Sequence, residues 1–149
     1  DNMEQLETIL RKRGIAKNYF TLDGVYDPWQ TKTIISHFDM LISGRIHGAI
    51  AALSQDIPTV VIDYGHEPKA HKLLGFTKLL GIEEYLADPF HSSDMIDKIA
   101  KCWKFKDEIR VKLKSRIPEV RNLARQNFDM LPKIFLERKN NASNELSDC

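Results

Sequence analysis

Residues 42–69, "ISGRIHGAIAALSQDIPTVVIDYGHEPK", concentrate side chains that could bind an anion. Arg45 and His47 stand two positions apart in a first polar stretch, "SGRIHG", which opens with Ser43. A guanidinium can hold a carboxylate or phosphate through two parallel hydrogen bonds, and an imidazole can donate a hydrogen bond or a proton. A second polar stretch, "YGHEPK", supplies His66, Glu67 and Lys69. These residue types predict a site for a ligand that carries a carboxylate or a phosphate.

The elements around the two stretches explain how they could meet. Residues 38–43 form an apolar run that predicts a buried strand, and residues 59–64, "TVVIDY", are the clearest strand of the chain. Residues 45–54 between them are rich in small side chains, which lets a helix lie close on a sheet. Such a strand–helix–strand unit is parallel and right-handed by default, and its ligands bind outside the carboxyl ends of the strands. Both polar stretches, with the amides of the helix N-terminus, are therefore predicted at one edge.

The remaining pattern alternates helices and strands. Before the central unit it predicts a helix from residue 3 that ends at Gly14, a strand at residues 19–22, and a helix from Asp27-Pro28 to about His37. After that unit it predicts a short helix from Pro68, a turn at "GFTKLLGI", a strand at residues 85–87, and a helix from Ser92 or Ser93 to Trp103. Continuous apolar strands among helices are typical of a parallel sheet that is covered on both faces. The predicted fold class is therefore α/β, Rossmann-like.

The C-terminal third follows a different pattern. Apolar residues recur every three or four positions over residues 107–138, which predicts a long helix or a pair, with Pro118 and Pro132 as expected kinks or breaks. Residues 139–149, "KNNASNELSDC", carry almost no apolar side chains and are predicted to be disordered. We expect one domain over residues 1–138 and a tail over residues 139–149. Because the chain opens at Asp1 and enters a helical pattern at once, we also expect it to be a fragment of a longer protein.

Composition argues against several classes of function. The chain has 149 residues and a net charge of +1, so no global field favours nucleic acid or an anionic membrane. Its basic run "KFKDEIRVKLKSR" alternates with apolar residues, as on a solvated helix face. No apolar run approaches the roughly twenty residues of a membrane helix. Cys102 and Cys149 form neither a disulfide framework nor a metal-ligand spacing, so we expect a cytoplasmic protein without a metal site.

Simpler readings of the candidate residues remain open at this point. Arg45 could be solvated, although the helix dipole disfavours a cation in a first turn. His47 could cap the helix or pack in the core, and Lys69 could decorate an exposed helix. His37, His91 and Trp29 are assigned to packing or to the surface.

The segment "SGRIHGAIAALSQDIPTVVIDYGHEPKAHKLLGF" resembles the signature region of the polysaccharide pyruvyl transferase family. Members show a serine, then arginine–x–histidine–glycine, an alanine-rich helix, a proline-led apolar strand, and a tyrosine followed by a lysine and a leucine–glycine pair. The matching positions here are Ser43, Arg45, His47, Gly48, Ala52, Pro58, Tyr64, Lys69, Leu74 and Gly75. The resemblance covers roughly a quarter of the chain.

The resemblance implies an enzyme of two Rossmann-like domains, similar to the GT-B architecture, of which this chain would be the C-terminal half and would be inactive alone. Such enzymes transfer a pyruvyl group from phosphoenolpyruvate to a saccharide, which can be lipid-linked, and form a ketal in exopolysaccharide biosynthesis. Phosphoenolpyruvate would be the donor substrate, with no further cofactor. With the polar loops, the resemblance predicts Arg45 and His47 as catalytic residues and a donor site made of Ser43, Arg45, His47, Gly48, Tyr64, His66 and Lys69.

Two competing functions belong to other classes. A nucleotide-sugar glycosyltransferase domain of the same architecture commonly carries an acidic residue in the helix equivalent to residues 46–54, and no Asp or Glu occurs at residues 46–54 here. A non-catalytic binding domain would not require two polar loops at one sheet edge.

Overall fold

The computed structural model describes residues 2–14, 19, 21–64 and 72–145, with side chains for residues 4–14, 19, 21–64 and 72–132. Its helices are α1 (Asn2–Lys12), α2 (Pro28–Ser36), α3 (Ile46–Leu53), α4 (Lys72–Leu80), α5 (Ser92–Lys104) and α6 (Lys106–Glu145). Its strands are β1 (Leu41–Ser43), β2 (Thr59–Ile62) and β3 (Leu86–Ala87), and a 3-10 turn at Glu83–Tyr85 precedes β3. The prediction of a mixed α/β, Rossmann-like fold with a long C-terminal helix is confirmed.

Within these residues the sheet is parallel throughout, in the order β1-β2-β3. Leu41 pairs with Thr59 and Ser43 with Val61, so β1 and β2 end at the same level of the sheet. The central strand is buried along most of its length, since Thr59, Val60 and Val61 are almost fully excluded from solvent. The carboxyl ends of β1 and β2 are therefore adjacent, as the sequence predicts.

Two apolar clusters hold the helices to the sheet. The larger joins α3, β2, α4, α5 and the first half of α6, with Leu53, Val60, Leu80, Ile82 and Leu113 fully buried in it. The smaller joins α2 to α3 through Ile35, Ala52 and Ile57. Burying a side chain of this size contributes about 1.5–3 kcal/mol, so these clusters fix α3 and its N-terminus.

Helix α6 is anchored at one edge of the sheet by arginines. Their guanidinium groups donate to three main-chain carbonyls: Arg110 to Asp39 at 3.2 Å, Arg116 to Leu79 at 3.3 Å and Arg121 to Ser54 at 3.2 Å. Lys106 Nζ also donates to the Asp39 carboxylate over 3.1 Å, and this bond lowers the pKa of Asp39 from its ordinary value of 3.8. Asp39 precedes β1, Ser54 follows α3, and Leu79 lies in the last turn of α4. All three acceptors therefore lie toward the amino-terminal edge of the sheet.

Several boundaries differ from the sequence-based prediction. Residues 19, 21 and 22 are not in a strand; the Thr21 hydroxyl instead donates to Glu7 of α1 over 2.7 Å. Strand β1 begins only at Leu41, and α4 runs through the predicted turn as far as Leu80. The predicted helix start at Pro68 lies outside the described residues. In contrast, the Asp27 capping box, Pro28 at the first turn of α2, and the end of α1 near Gly14 (φ +71°) confirm the predicted helix ends.

Helix α6 is one continuous element that passes through both Pro118 and Pro132. It also reaches Glu145, so residues 139–145 are helical where the sequence predicts disorder; residues 146–149 lie outside the described residues. Extending an existing helix avoids the unfavourable nucleation step, which favours continuation into a weak sequence. None of the helices in the described ranges is both long and apolar enough to cross a membrane.

Candidate active site at the carboxyl edge of the sheet

The turn from β1 into α3 is closed by Ser43. Its hydroxyl accepts a hydrogen bond from the Arg45 amide at 3.2 Å and donates to the Arg45 carbonyl at 3.0 Å. Arg45 is the N-cap residue of α3 in an extended conformation (φ −111°, ψ 127°), and its side chain does not cap the helix. The first helical hydrogen bond comes from the Ala49 amide to the Arg45 carbonyl at 3.1 Å, so the amides of residues 46–48 precede it.

Arg45 and His47 are both exposed at this helix N-terminus. Among the described residues, no hydrogen bond or ion pair is formed by the Arg45 guanidinium or the His47 imidazole. The first turn of α3 also holds no acidic side chain. The positive end of the helix dipole disfavours a cation and attracts an anion. An anion bound here would therefore be attracted by both the dipole and the guanidinium. This arrangement suits a carboxylate or a phosphate.

The ring of Tyr64, two residues after the end of β2, packs over this turn. A Cβ atom at Gly44 would lie 2.3 Å from Cε2 of the Tyr64 ring, so only glycine lets the ring lie where it does. Tyr64 itself is 61% exposed, which leaves its outer face accessible to a ligand. The structure therefore brings together Ser43, Gly44, Arg45 and Tyr64. Sequence reasoning missed Gly44, although a glycine directly after a strand is a signal for close approach of another group.

The backbone at Gly48 also lies close to another group, since a Cβ atom there would lie 2.8 Å from the Ser43 hydroxyl oxygen. The glycine thus leaves room for the hydroxyl that holds the Arg45 main chain. His66 and Lys69, which the sequence also places in the site, lie outside the described residues, and their roles stay predictions.

We expect the effects of Gly48→Ala and Ser43→Ala on the free energy of unfolding to be coupled. Alanine within a helix stabilises the folded protein by about 0.5–1 kcal/mol relative to glycine. At position 48, however, its methyl group must push the Ser43 hydroxyl from its two hydrogen bonds. The gain should therefore appear only in the Ser43→Ala background, where the nearest remaining atom, the position 43 Cβ, lies 3.8 Å away. Chemical denaturation of the two single variants and the double variant measures this coupling.

Gly75→Ala is the matched control for that cycle. Gly75 lies within α4, and a Cβ atom there meets nothing within 4 Å among the described residues. It should stabilise the protein equally with or without the Ser43 hydroxyl. Strict additivity of the changes at positions 43 and 48 would contradict the packing described.

Other parts of the molecule offer less chemistry. A cavity of about 270 Å³ near Tyr85 and a groove of about 590 Å³ along α6 contain none of the predicted site residues. Burial raises the pKa of Tyr85 to about 12 and that of Cys102 to about 11, so both stay protonated at neutral pH. Across the ranges that the structure covers, no three His, Cys, Asp or Glu side chains cluster as metal ligands. The carboxyl edge remains the best candidate site.

The amino-terminal part of the chain, which forms this edge, matches a known protein family. Residues 1–66 match the family model of polysaccharide pyruvyl transferase. The match confirms the resemblance to that family and includes the whole β1–α3 turn and Tyr64. It stops before Lys69, Leu74 and Gly75, which the resemblance also used. No curated protein and no solved structure gives a significant match to the chain.

The polysaccharide pyruvyl transferase match thus falls on the part of the chain that builds the candidate site. The family indicates a transferase that acts on a saccharide.

Proposed function

We propose that this chain carries the phosphoenolpyruvate-binding edge of a polysaccharide pyruvyl transferase. In this reaction the pyruvyl group would pass to two hydroxyls of a cell-surface saccharide and form a ketal. The observation that carries the proposal is the exposed Arg45 guanidinium at the N-terminus of α3, inside the segment that matches the family.

The donor substrate fits this site by charge. Phosphoenolpyruvate carries a carboxylate and a phosphate on the same carbon, so it needs at least two sets of donors. Arg45 would grip one of these groups bidentately, and the amides of residues 46–48 would face the other. Lys69 would add a point charge if it lies nearby.

The proposed chemistry begins at the methylene carbon of the enol. Protonation of that carbon turns it into a methyl group and leaves an oxocarbenium-like centre beside the carboxylate. One sugar hydroxyl attacks this centre and loses its proton, the C–O bond to phosphate breaks, and a second hydroxyl then adds with loss of its proton. The products are the ketal and inorganic phosphate. The protein must stabilise the positive centre and the departing phosphate.

His47 is the residue of this turn that could move a proton. Its imidazole lies in the first turn of α3, two residues after Arg45, and it is exposed. We assign it as general acid or as a hydrogen-bond donor to the phosphate. Loss of the imidazole would then reduce turnover more than donor affinity.

Thermal unfolding of the 149-residue chain with added ligands tests the proposal. Phosphoenolpyruvate should raise the unfolding midpoint, since a ligand at one hundred times its Kd stabilises by about 2.7 kcal/mol. Arg45→Ala should remove that shift. The matched control is Arg125→Ala, an exposed arginine on α6 that changes the net charge equally.

The comparison ligands are inorganic phosphate, pyruvate and several nucleotide-sugars. A shift with nucleotide-sugars and none with phosphoenolpyruvate would replace the proposal with a glycosyltransferase donor site. An equal loss of the phosphoenolpyruvate shift in Arg125→Ala would show non-specific charge attraction and would also overturn it.

A further inference from the structure

A cavity of about 270 Å³ lies between the 3-10 turn before β3, the last turn of α5 and the first two turns of α6. Phe105 and Ile109 give it apolar walls, and Tyr85 lines it from the 3-10 turn. None of its lining residues belongs to the β1–α3 turn, so the cavity is separate from the candidate active site. A space of this size suits a small molecule rather than a polymer.

Tyr85 offers an unbonded hydroxyl to this cavity. The residue is only 4% exposed, yet its hydroxyl forms no hydrogen bond among the described residues. In the same residues, every fully buried side-chain nitrogen or oxygen has a partner. The Tyr85 hydroxyl must therefore reach solvent, and it does so in the cavity that the residue lines. A donor so nearly buried is normally bonded, so this one indicates a ligand that offers an acceptor.

The Tyr85 hydroxyl acts as a donor at neutral pH. Burial, and then the negative charges of Glu84 and Glu108, raise its pKa to about 12. The same charges show that both carboxylates lie near the phenol. A ligand group bound to the hydroxyl must accept a hydrogen bond, as a carboxylate does.

Two opposite charges line the cavity without a partner. Glu108 and Lys112 face it from successive turns of α6, and neither forms an ion pair or a hydrogen bond within the described part of the chain. Residues four apart on a helix place their Cβ atoms about 5–6 Å apart. The Lys112 side chain also lies close to the backbone of Gly81, where a Cβ atom would be 3.2 Å from Lys112 Cε. The cavity thus presents a free carboxylate and a free ammonium one helical turn apart.

The other two charges of the lining already neutralise each other. The Lys101 ammonium donates to the Glu84 carboxylate and lies 5.7 Å from the centre of the Tyr85 ring. With two carboxylates and two ammonium groups, the lining has no net charge, so it favours neither a simple anion nor a simple cation. A ligand that carries one group of each sign can bind both free charges.

We propose that this cavity binds a small zwitterion of the α-amino acid class. Glu108 accepts hydrogen bonds from the ligand ammonium, while Lys112 and the Tyr85 hydroxyl donate to the ligand carboxylate. An apolar side chain of the ligand lies against Phe105 and Ile109. This site does not depend on the proposed function, because neither phosphoenolpyruvate nor a saccharide takes part in it.

Thermal unfolding of the 149-residue chain with a panel of the proteinogenic amino acids provides the first test. An amino acid with an apolar or aromatic side chain should raise the unfolding midpoint in the millimolar range. Its N-acetyl derivative lacks the ammonium and its amide derivative lacks the carboxylate, so neither should cause the shift. Glucose is the neutral comparison ligand and should cause no shift that depends on Tyr85.

Calorimetry on single variants locates the bound amino acid. Tyr85→Phe removes only the hydroxyl and should weaken binding roughly tenfold, and Glu108→Gln and Lys112→Met should each weaken it at least as much. Lys114→Met is the matched control, since Lys114 is an exposed lysine of the same helix that does not line the cavity. That variant and Arg45→Ala should bind the amino acid with unchanged affinity.

Three results would contradict the amino acid site. The first is the absence of a shift with every amino acid of the panel. The second is equal binding of the free amino acid and its blocked derivatives, or a glucose affinity that falls in Tyr85→Phe, because the ligand would then not be a zwitterion. The third is unchanged amino acid affinity in Tyr85→Phe and Lys112→Met, which would place the ligand elsewhere. Circular dichroism confirms that each variant is folded, and none of these results alters the phosphoenolpyruvate proposal.

Discussion

Replacement of Arg45 by lysine is expected to weaken phosphoenolpyruvate binding nearly as much as replacement by alanine. The reason is geometric, because lysine keeps the charge but lacks the planar fork that holds a carboxylate or phosphate through two hydrogen bonds. Each charge-assisted hydrogen bond contributes about 1.5–3 kcal/mol, which corresponds to roughly tenfold to a hundredfold in affinity. Isothermal titration with phosphoenolpyruvate measures the loss for both variants.

Circular dichroism and thermal melting provide the control for that pair. Arg45 is exposed and its side chain does not cap α3, so both variants should fold normally. A surface arginine without a ligand would tolerate lysine within about 0.5 kcal/mol. Wild-type affinity in Arg45→Lys, with Arg45→Ala impaired, would show that charge alone matters. Wild-type affinity in both variants would remove Arg45 from the site.

The second large effect concerns stability. Leu113 on α6 is fully buried in the larger apolar cluster, so Leu113→Ala should lower the free energy of unfolding by about 2–5 kcal/mol. This loss is a large fraction of the total stability of an ordinary domain, which is about 5–15 kcal/mol. Urea denaturation followed by circular dichroism measures it. Because Leu113 is remote from the carboxyl edge, the folded fraction should keep its affinity for phosphoenolpyruvate.

Leu123→Ala is the matched control on the same helix. Leu123 is 49% exposed, and the change in helix propensity is the same, so its effect should stay within about 0.5 kcal/mol. Equal losses at positions 113 and 123 would mean that α6 is packed as tightly at Leu123 as at Leu113.

The part of the fold that forms the candidate site can be predicted from local sequence signals. The apolar runs around β1 and β2, the small residues of α3, and the Asp27-Pro28 start of α2 each have one strong physical interpretation, and the structure confirms all of them. The adjacency of the two strand ends then follows from the rules for parallel strand–helix–strand units. Ser43, Arg45 and Tyr64 are therefore found where the sequence predicts.

The failures come from effects that local signals do not contain. A kink or a break was expected at Pro118, and the structure excludes the break: α6 continues through Pro118, with Ile117 buried and Val120 packed against the core on either side of it. This packing offsets the roughly 3 kcal/mol that a proline costs inside a helix. The part played by Gly44 depends on the ring of Tyr64, which follows β2, so only the folded chain reveals it.

The position of the α6 anchors has a consequence for the evolution of this protein. The three arginine bonds grip carbonyls toward the amino edge of the sheet, whereas the Arg45 turn and Tyr64 occupy the carboxyl edge. Substitutions that alter ligand preference usually threaten stability when the same residues serve both purposes. Here the two purposes fall on opposite edges. The loops of the carboxyl edge can therefore diverge in sequence while the fold that supports them is inherited unchanged.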